Sequence, residues 1–254
     1  MNSEHSLQML ILAAGRGERL MPLTRNTPKS LIELQDGVTV LENQLRHIHA
    51  AGIQRVTIVG GYRVEQIAAK VKMYQEEFNM AIEVLYNPFF MTSNNLISLW
   101  LARWRMDDDF IILNGDDVFD EQVLPGLLAV DSTREICMVT DRKDHYSDDD
   151  MKIVIRGDRV LKVGKKLPRE ETNGESIGMI RVIGAGRNRL RQKLDEMVQR
   201  EESKNIFYLH AFQELMDEGW PVYFHEIRPD QWSEIDFHPD LDMVRQQLKQ
   251  QFKA

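Results

Sequence analysis

Through the first half of the chain, short apolar runs of β-forming residues alternate with longer stretches whose apolar positions recur every three to four residues. Met9–Ala13 is predicted as a buried strand, Leu41–Ala51 as a helix, Arg55–Gly60 as a strand and Val64–Gln75 as a helix. Ile82–Tyr86, Phe110–Leu113 and Ile136–Thr140 read as further strands, with Leu96–Arg103 and Glu121–Val130 as helices. Such alternation covers a sheet on both sides, so the expected fold class is α/β: a Rossmann-like, mostly parallel sheet with helices on both faces.

The grammar changes after Thr140. The polar stretch Asp141–Asp150 is followed by two β-like segments, Met151–Ile155 and Val160–Val163, with a Gly157-Asp158 turn signal between them that suits a hairpin. With Ile177–Ile183 as another strand, residues 141–183 are predicted to form a small antiparallel, β-rich insertion. Asn188–Glu202 and Phe207–Glu218 have helical periodicity, Val222–Glu226 reads as a late strand and Leu241–Phe252 as a closing helix. No repeat, linker or low-complexity tract divides the chain, and residues 1–254 are read as one domain.

Composition narrows the partners. Lys plus Arg number 32 against 40 Asp plus Glu, a formal charge of −8, which disfavours an electrostatic grip on nucleic acid or an anionic membrane. Any phosphate site must therefore be local. The single cysteine, Cys137, excludes an internal disulfide framework and a multi-cysteine metal centre, and its bland reading is a buried thiol. The apolar run Leu7–Ala14 follows Glu4, has no preceding Lys or Arg and is too short for a membrane span, so a cytoplasmic protein is expected. A homo-oligomer is compatible with all of this, and the sequence leaves the oligomeric state open.

The sharpest local feature is Leu12-Ala13-Ala14-Gly15-Arg16-Gly17-Glu18-Arg19-Leu20, directly after the first predicted strand. Small residues and two glycines let the backbone approach a bulky anion and point successive N–H groups at it. Arg16 and Arg19 add charge suited to a polyphosphate, and Pro22 and Pro28 stiffen the segment that returns Lys29 toward the loop. A P-loop is excluded by its missing Lys-Ser/Thr pattern, and a dinucleotide fingerprint by Leu20 where a third glycine is required. Separately, Asn114-Gly115-Asp116-Asp117 places carboxylates just beyond the carboxyl end of a buried strand, the edge where open α/β sheets bind ligands. Its alternative reading is a solvated turn.

The string from Leu12 to Leu31, LAAGRGERLMPLTRNTPKSL, resembles the signature of the nucleotidyltransferases, which join a nucleoside triphosphate to a phosphorylated small molecule and release pyrophosphate. The resemblance implies that Leu12, Ala13, Ala14, Gly15, Arg16 and Gly17 hold the triphosphate, that Arg19 contacts its leaving end, and that Lys29 stabilises charge at the α-phosphate. Trp232-Ser233-Glu234-Ile235-Asp236 resembles the family's second metal-binding segment, which makes Asp116 and Asp236 the expected Mg²⁺ ligands, with Asp117 and Glu234 as substitutes. Asp116 then also belongs to the nucleotide site. A phosphate acceptor is already anionic near neutral pH, so no general base is required; His47, His49, His210 and His225 are read as structural.

The segment Tyr86–Trp100, with Thr92-Ser93-Asn94-Asn95, is similar to that of bacterial phosphocholine cytidylyltransferases and relatives acting on small phosphonates or phosphorylated amino compounds. This implies CTP and a small non-sugar acceptor. Asn94 is placed at the nucleotide and Asn95 at the acceptor, although Ser-Asn-Asn before a helical pattern is also a helix N-cap. Lys152, Lys165 and Glu175 lie in stretches that resemble the same subgroup; the two lysines are candidates for holding the acceptor phosphate, with surface lysines as the alternative. Tyr146, Trp232 and Asp148–Asp150 can form an amine pocket, against the alternative of a core tryptophan and a solvated acidic loop. Choline, ethanolamine, aminoethylphosphonate and phosphorylated amino-acid acceptors stay open. So do two other readings, a sugar-1-phosphate nucleotidyltransferase and a catalytically silent nucleotide-binding subunit.

Overall fold

The computed structural model describes residues 7–251. The outer ends of the chain, and with them the predicted helix end at Phe252, lie outside the described residues. In chain order the strands are β1 (Gln8–Ala13), β2 (Glu33–Gln35), β3 (Val38–Thr39), β4 (Arg55–Gly60), β5 (Ala81–Tyr86), β6 (Phe110–Asn114), β7 (Asp117–Phe119), β8 (Ile136–Asp141), β9 (Lys152–Arg156), β10 (Arg159–Val163), β11 (Gly174–Val182), β12 (Val222–Glu226) and β13 (Trp232–Glu234). The helices are α1 (Val40–Ala50), α2 (Val64–Phe78), α3 (Asn95–Leu101), α4 (Val123–Leu128), α5 (Ala185–Met197), α6 (Leu209–Asp217) and α7 (His238–Gln251).

Nine strands form one sheet in the order β5-β4-β1-β6-β11-β8-β12-β10-β9. The predicted parallel grammar holds from β5 to β6 and again between β8 and β12. Between these halves β11 runs antiparallel to both β6 and β8, and it also pairs with β9. All nine β11 residues are buried, so this strand sits in the middle of the sheet rather than on an appended flap. β9 and β10 form the antiparallel pair expected around Gly157.

The two-residue period of β1 sorts its side chains between two cores. Met9 and Ile11 join a cluster with Leu41, Leu45 and Ile48 of α1 and Ile67 and Val71 of α2. Leu10 and Leu12 join another with Leu96 and Leu99 of α3, Leu190 and Leu194 of α5 and Phe212 of α6. Helices thus cover both faces. Burying each such side chain stabilises by roughly 1.5–3 kcal/mol. Cys137 is one of these core residues, and burial pushes its thiol up to about 11, in keeping with an inert packing role.

Several short elements differ from the sequence pattern. The predicted helices at 96–103 and 188–202 each stop early, at Leu101 and Met197, and 3₁₀ turns at Ala102–Arg105 and Glu201–Asn205 follow them. β7 and β13 pair antiparallel outside the main sheet. A third, smaller cluster lies beneath this pair, where Leu20, Ile32, Leu34, Val118, Ile235, Leu241 and Val244 pack together. That cluster ties the first loop, β2, β7 and α7 into one support. Among the described residues no helix is long and apolar enough to cross a membrane.

Candidate active site

The loop after β1 enters a 3₁₀ turn at Glu18–Leu20, with Gly17 in the left-handed region at φ 61°. A Cβ on Gly17 would lie 3.0 Å from Thr24 Cγ2 and 3.2 Å from Lys29 Cβ. Glycine therefore both permits the turn and lets the Lys29 stem pass close beneath the loop. Gly115, on the neighbouring strand end, is equally constrained, since a Cβ there would lie 2.7 Å from Ala13 Cβ. Its N–H donates to Leu12 O at 2.9 Å, which sets Asp116 against the first loop.

Lys29 stands in a 3₁₀ turn, and its Nζ is 2.6 Å from Asp116 Oδ2 and 2.5 Å from Asp236 Oδ1. Burial alone would lower the Lys29 pKa; the charges of Asp116 and Asp236 and their hydrogen bonds outweigh it and raise it well above the ordinary value. Glu234 is the third member: one ligand oxygen each from Asp116, Glu234 and Asp236 lies within 4.8 Å of the others. Glu234 is exposed, yet partial loss of hydration at the crevice wall and then the charges of Asp116 and Asp236 push its carboxyl up to about 8. Three hard oxygen donors at this spacing fit a divalent cation such as Mg²⁺.

Pairing of β7 with β13 assembles the trio. Their register sets Glu234 opposite Asp117 and Trp232 opposite Phe119, and Ile235 N donates to Asp116 O at 3.1 Å. Asp117 itself is only 1% exposed, and neither of its carboxylate oxygens has a hydrogen-bond partner among the described residues. Burial, then repulsion from Asp116, pushes its pKa well above the carboxylate range. Asp117 is thus behind the trio, and Glu234 is the substitute that the geometry brings in. Gln44, which nothing in the sequence reading singled out, is completely buried on α1 and donates from Nε2 to Asn114 O at 2.9 Å and Asp117 O at 2.8 Å. Its one signal was a polar residue at a core-facing position, between Leu41 and Leu45.

A crevice of about 860 Å³ extends from this trio. Leu12, Ala14, Gly15, Arg19, Asn94 and Asn95 line it, as do Lys165, Glu175 and Trp232. Ala13, Gly17 and Lys29 line an adjoining hollow of about 320 Å³ around the first loop. Arg19 donates to Asp236 at 2.9 Å and reaches Asp149 at 3.4 Å. Asn94 is the N-cap of α3, accepting from Asn95 N, so its cap role and its place in the crevice coexist. Asn95 Oδ1 accepts from Tyr208 N at 2.9 Å. Lys165 Nζ lies 3.5 Å from Asp149, and Trp232 Nε1 donates to Asp141 at 2.7 Å.

Three expectations are placed elsewhere. Lys152 is only 2% exposed and donates from Nζ to Lys165 O at 2.7 Å, so it braces the backbone that carries Lys165 instead of meeting an acceptor. Arg16 pairs with Glu18 at 2.9 Å and lies over the Tyr62 ring, and it lines neither hollow. Asp148 points into solvent with its side chain 98% exposed. No described histidine lines either hollow. Asp141 and Lys143, which in sequence are only part of a polar stretch, also line the crevice.

A family model described as nucleotidyl transferase matches residues 8–147. The CMP-5'-(3-aminopropyl)phosphonate synthase of Streptomyces rubellomurinus is 37% identical over 123 residues, 48% of this chain and 19% of that protein. The 2-aminoethylphosphonate cytidylyltransferase of Lancefieldella rimae is 36% identical over 93 residues, 37% of this chain and 35% of that protein. The chain therefore spans well under two thirds of the length of these curated relatives. The solved structure of the CTP:phosphocholine cytidylyltransferase from Streptococcus pneumoniae superposes with a TM-score of 0.78 at 19% identity, covering 96% of this chain and 99% of that one, a likeness of fold.

Proposed function

Because the chain belongs to the nucleotidyl transferase family, we propose that it transfers CMP from CTP to a small phosphorylated or phosphonate acceptor with release of pyrophosphate. The observation that carries this reading is the Lys29 ammonium within 2.6 Å of Asp116 and 2.5 Å of Asp236, at the foot of the glycine loop. The cytidylyltransferase relatives support CTP and a non-sugar acceptor. Residues 1–254 act in this reading as one catalytic domain, with 141–183 contributing to the acceptor side.

The chemistry follows from electrostatics. An acceptor phosphate or phosphonate oxygen attacks the α-phosphorus in line, and the bond to the pyrophosphate oxygen breaks. Loop amides from Ala14 to Gly17 cradle the triphosphate, Arg19 meets its leaving end, and Lys29 offsets charge growing at the α-phosphate. Asp116 and Asp236, with Glu234, would hold Mg²⁺, which when bound neutralises phosphate charge. Asn94 faces the nucleotide, while Asn95, Lys165, Glu175 and Trp232 face the acceptor. The acceptor nucleophile is already anionic, so the protein's work is positioning and charge neutralisation.

Incubating the purified chain with each nucleoside triphosphate, Mg²⁺ and a panel of phosphorylated acceptors tests the proposal. Pyrophosphate release with CTP and a small amino-phosphate or aminophosphonate is expected. Turnover only with a hexose 1-phosphate would move the chain to the sugar-nucleotide enzymes, and none with any acceptor would make it a silent nucleotide-binding subunit.

A further inference from the structure

The crevice contains a second charged cluster, built where β8 ends and β11 begins. Asp141 closes β8 and stands opposite Glu175 in the β8–β11 register. Both are buried, at 2% and 4% exposure, and both line the crevice. Lys143 Nζ is 2.5 Å from Glu175 Oε2 and 2.9 Å from Asp150 Oδ2. Asp150 also accepts from Ser147 N and Ser147 Oγ, each at 2.7 Å, so both its oxygens are engaged. Asp141 differs: Oδ2 accepts from Trp232 Nε1, while Oδ1 has no partner among the described residues. Of these three carboxyl groups, two meet the one lysine, and the third, Asp141, is the most buried and has no cation within contact distance among the described residues. A buried carboxylate oxygen with nothing to accept from is costly unless a ligand supplies the donor.

We propose that Asp141, with Glu175 beside it, is a subsite for a protonated primary amine at the far end of the acceptor. The proposal deepens the transferase reading of the same crevice and rests on it for its turnover measurement. Lys143 shows what this cluster holds, because its primary ammonium sits on carboxylate oxygens at hydrogen-bond distance. A primary ammonium carries three N–H donors, whereas a quaternary ammonium has none, is kept off an oxygen by its methyl groups, and is held by aromatic faces. Here the Tyr146 ring is already beside Lys143, 6.0 Å from Nζ, and the Asp141 oxygen that lacks a partner calls for an N–H donor. The subsite therefore selects for N–H donors as well as for positive charge.

O-phosphoethanolamine, phosphocholine and propyl phosphate have matching spacers and differ in the end group: primary ammonium, quaternary ammonium and methyl. With CTP and Mg²⁺, kcat/KM for O-phosphoethanolamine is expected to exceed that of both others at least tenfold, and calorimetric Kd values without nucleotide should follow the same order. Asp141→Asn keeps an acceptor for Trp232 and should lower the O-phosphoethanolamine to propyl phosphate ratio at least tenfold; Glu175→Gln reads the same ratio if that variant does not fold. Phosphocholine equal to or better than O-phosphoethanolamine, or a variant that lowers all three acceptors by one factor, overturns the subsite. If no nucleotide yields pyrophosphate with any acceptor, the transferase reading fails, and calorimetry still decides. A tenfold tighter Kd for O-phosphoethanolamine than for propyl phosphate then upholds the amine subsite, and equal or undetectable binding of the three overturns it.

Discussion

Glu234 on β13 stands directly opposite Asp117 on β7, and this one register pair brings the two acidic segments of the chain together. Asp117 faces inward, and its immediate neighbour Asp116 is delivered to the crevice beside Glu234 and Asp236. Lys29 then bridges Asp116 and Asp236. The arrangement leads to four expectations.

If the proposed transfer is right, Asp116→Asn and Asp236→Asn should each reduce activity by at least about 100-fold, since the lost charge would serve phosphate neutralisation. Each variant leaves Lys29 one carboxylate partner, so the fold should survive with a melting temperature within several degrees of the parent. Steady-state pyrophosphate release alongside thermal unfolding checks both halves; full activity in either variant removes that residue from the site.

Gln44→Leu deprives two buried carbonyls, Asn114 O and Asp117 O, of their donor. The cost should be on the order of 1–3 kcal/mol of stability. Because those carbonyls bracket Gly115 and Asp116, the Mg²⁺ concentration for half-maximal activity should also rise, several-fold or more. An unchanged metal requirement in a destabilised but folded variant would make Gln44 a packing residue only.

Gly115→Ala would press a methyl against Ala13, at 2.7 Å before any relaxation. The strand end must move, and Asp116 moves with it. We expect kcat to fall at least about tenfold with far-UV circular dichroism unchanged, because a small misplacement of charge is felt strongly in the transition state.

In the free protein burial, outweighing the nearby Lys143, pushes the Glu175 carboxyl up to about 8, and a second ammonium bound beside it favours the charged form. A carboxyl raised above its unfolded value contributes stability that is whole at low pH and is lost as pH rises toward 8. Glu175→Gln carries no such titration. Its melting temperature relative to the parent should therefore improve from pH 5 to pH 9, by an equivalent on the order of a few kcal/mol at most. A difference that is flat with pH would place Glu175 in a charged state throughout.

Much of this protein is legible without coordinates because its signals are local. The two-residue alternation of Met9–Leu12 and the helical spacing of Leu41, Leu45 and Ile48 are properties of contiguous residues, and they locate most strands and helices to within a few positions. The glycine loop and Lys29 lie within one short segment, so their closeness is also readable there. What periodicity cannot carry is the pairing of β7 with β13, each three residues long, too short for an alternation to register. Nor does it show that β11 enters the sheet antiparallel between β6 and β8. Lys152 and Lys165 look alike in sequence; burial sends one ammonium to a backbone carbonyl and leaves the other in the crevice. The sequence determined the α/β alternation and the glycine loop, which depend on neighbours along the chain. Tertiary structure alone decided which carboxylates share a crevice, which one is buried behind it and which lysine can reach it, because desolvation and charge contact depend on distance in space.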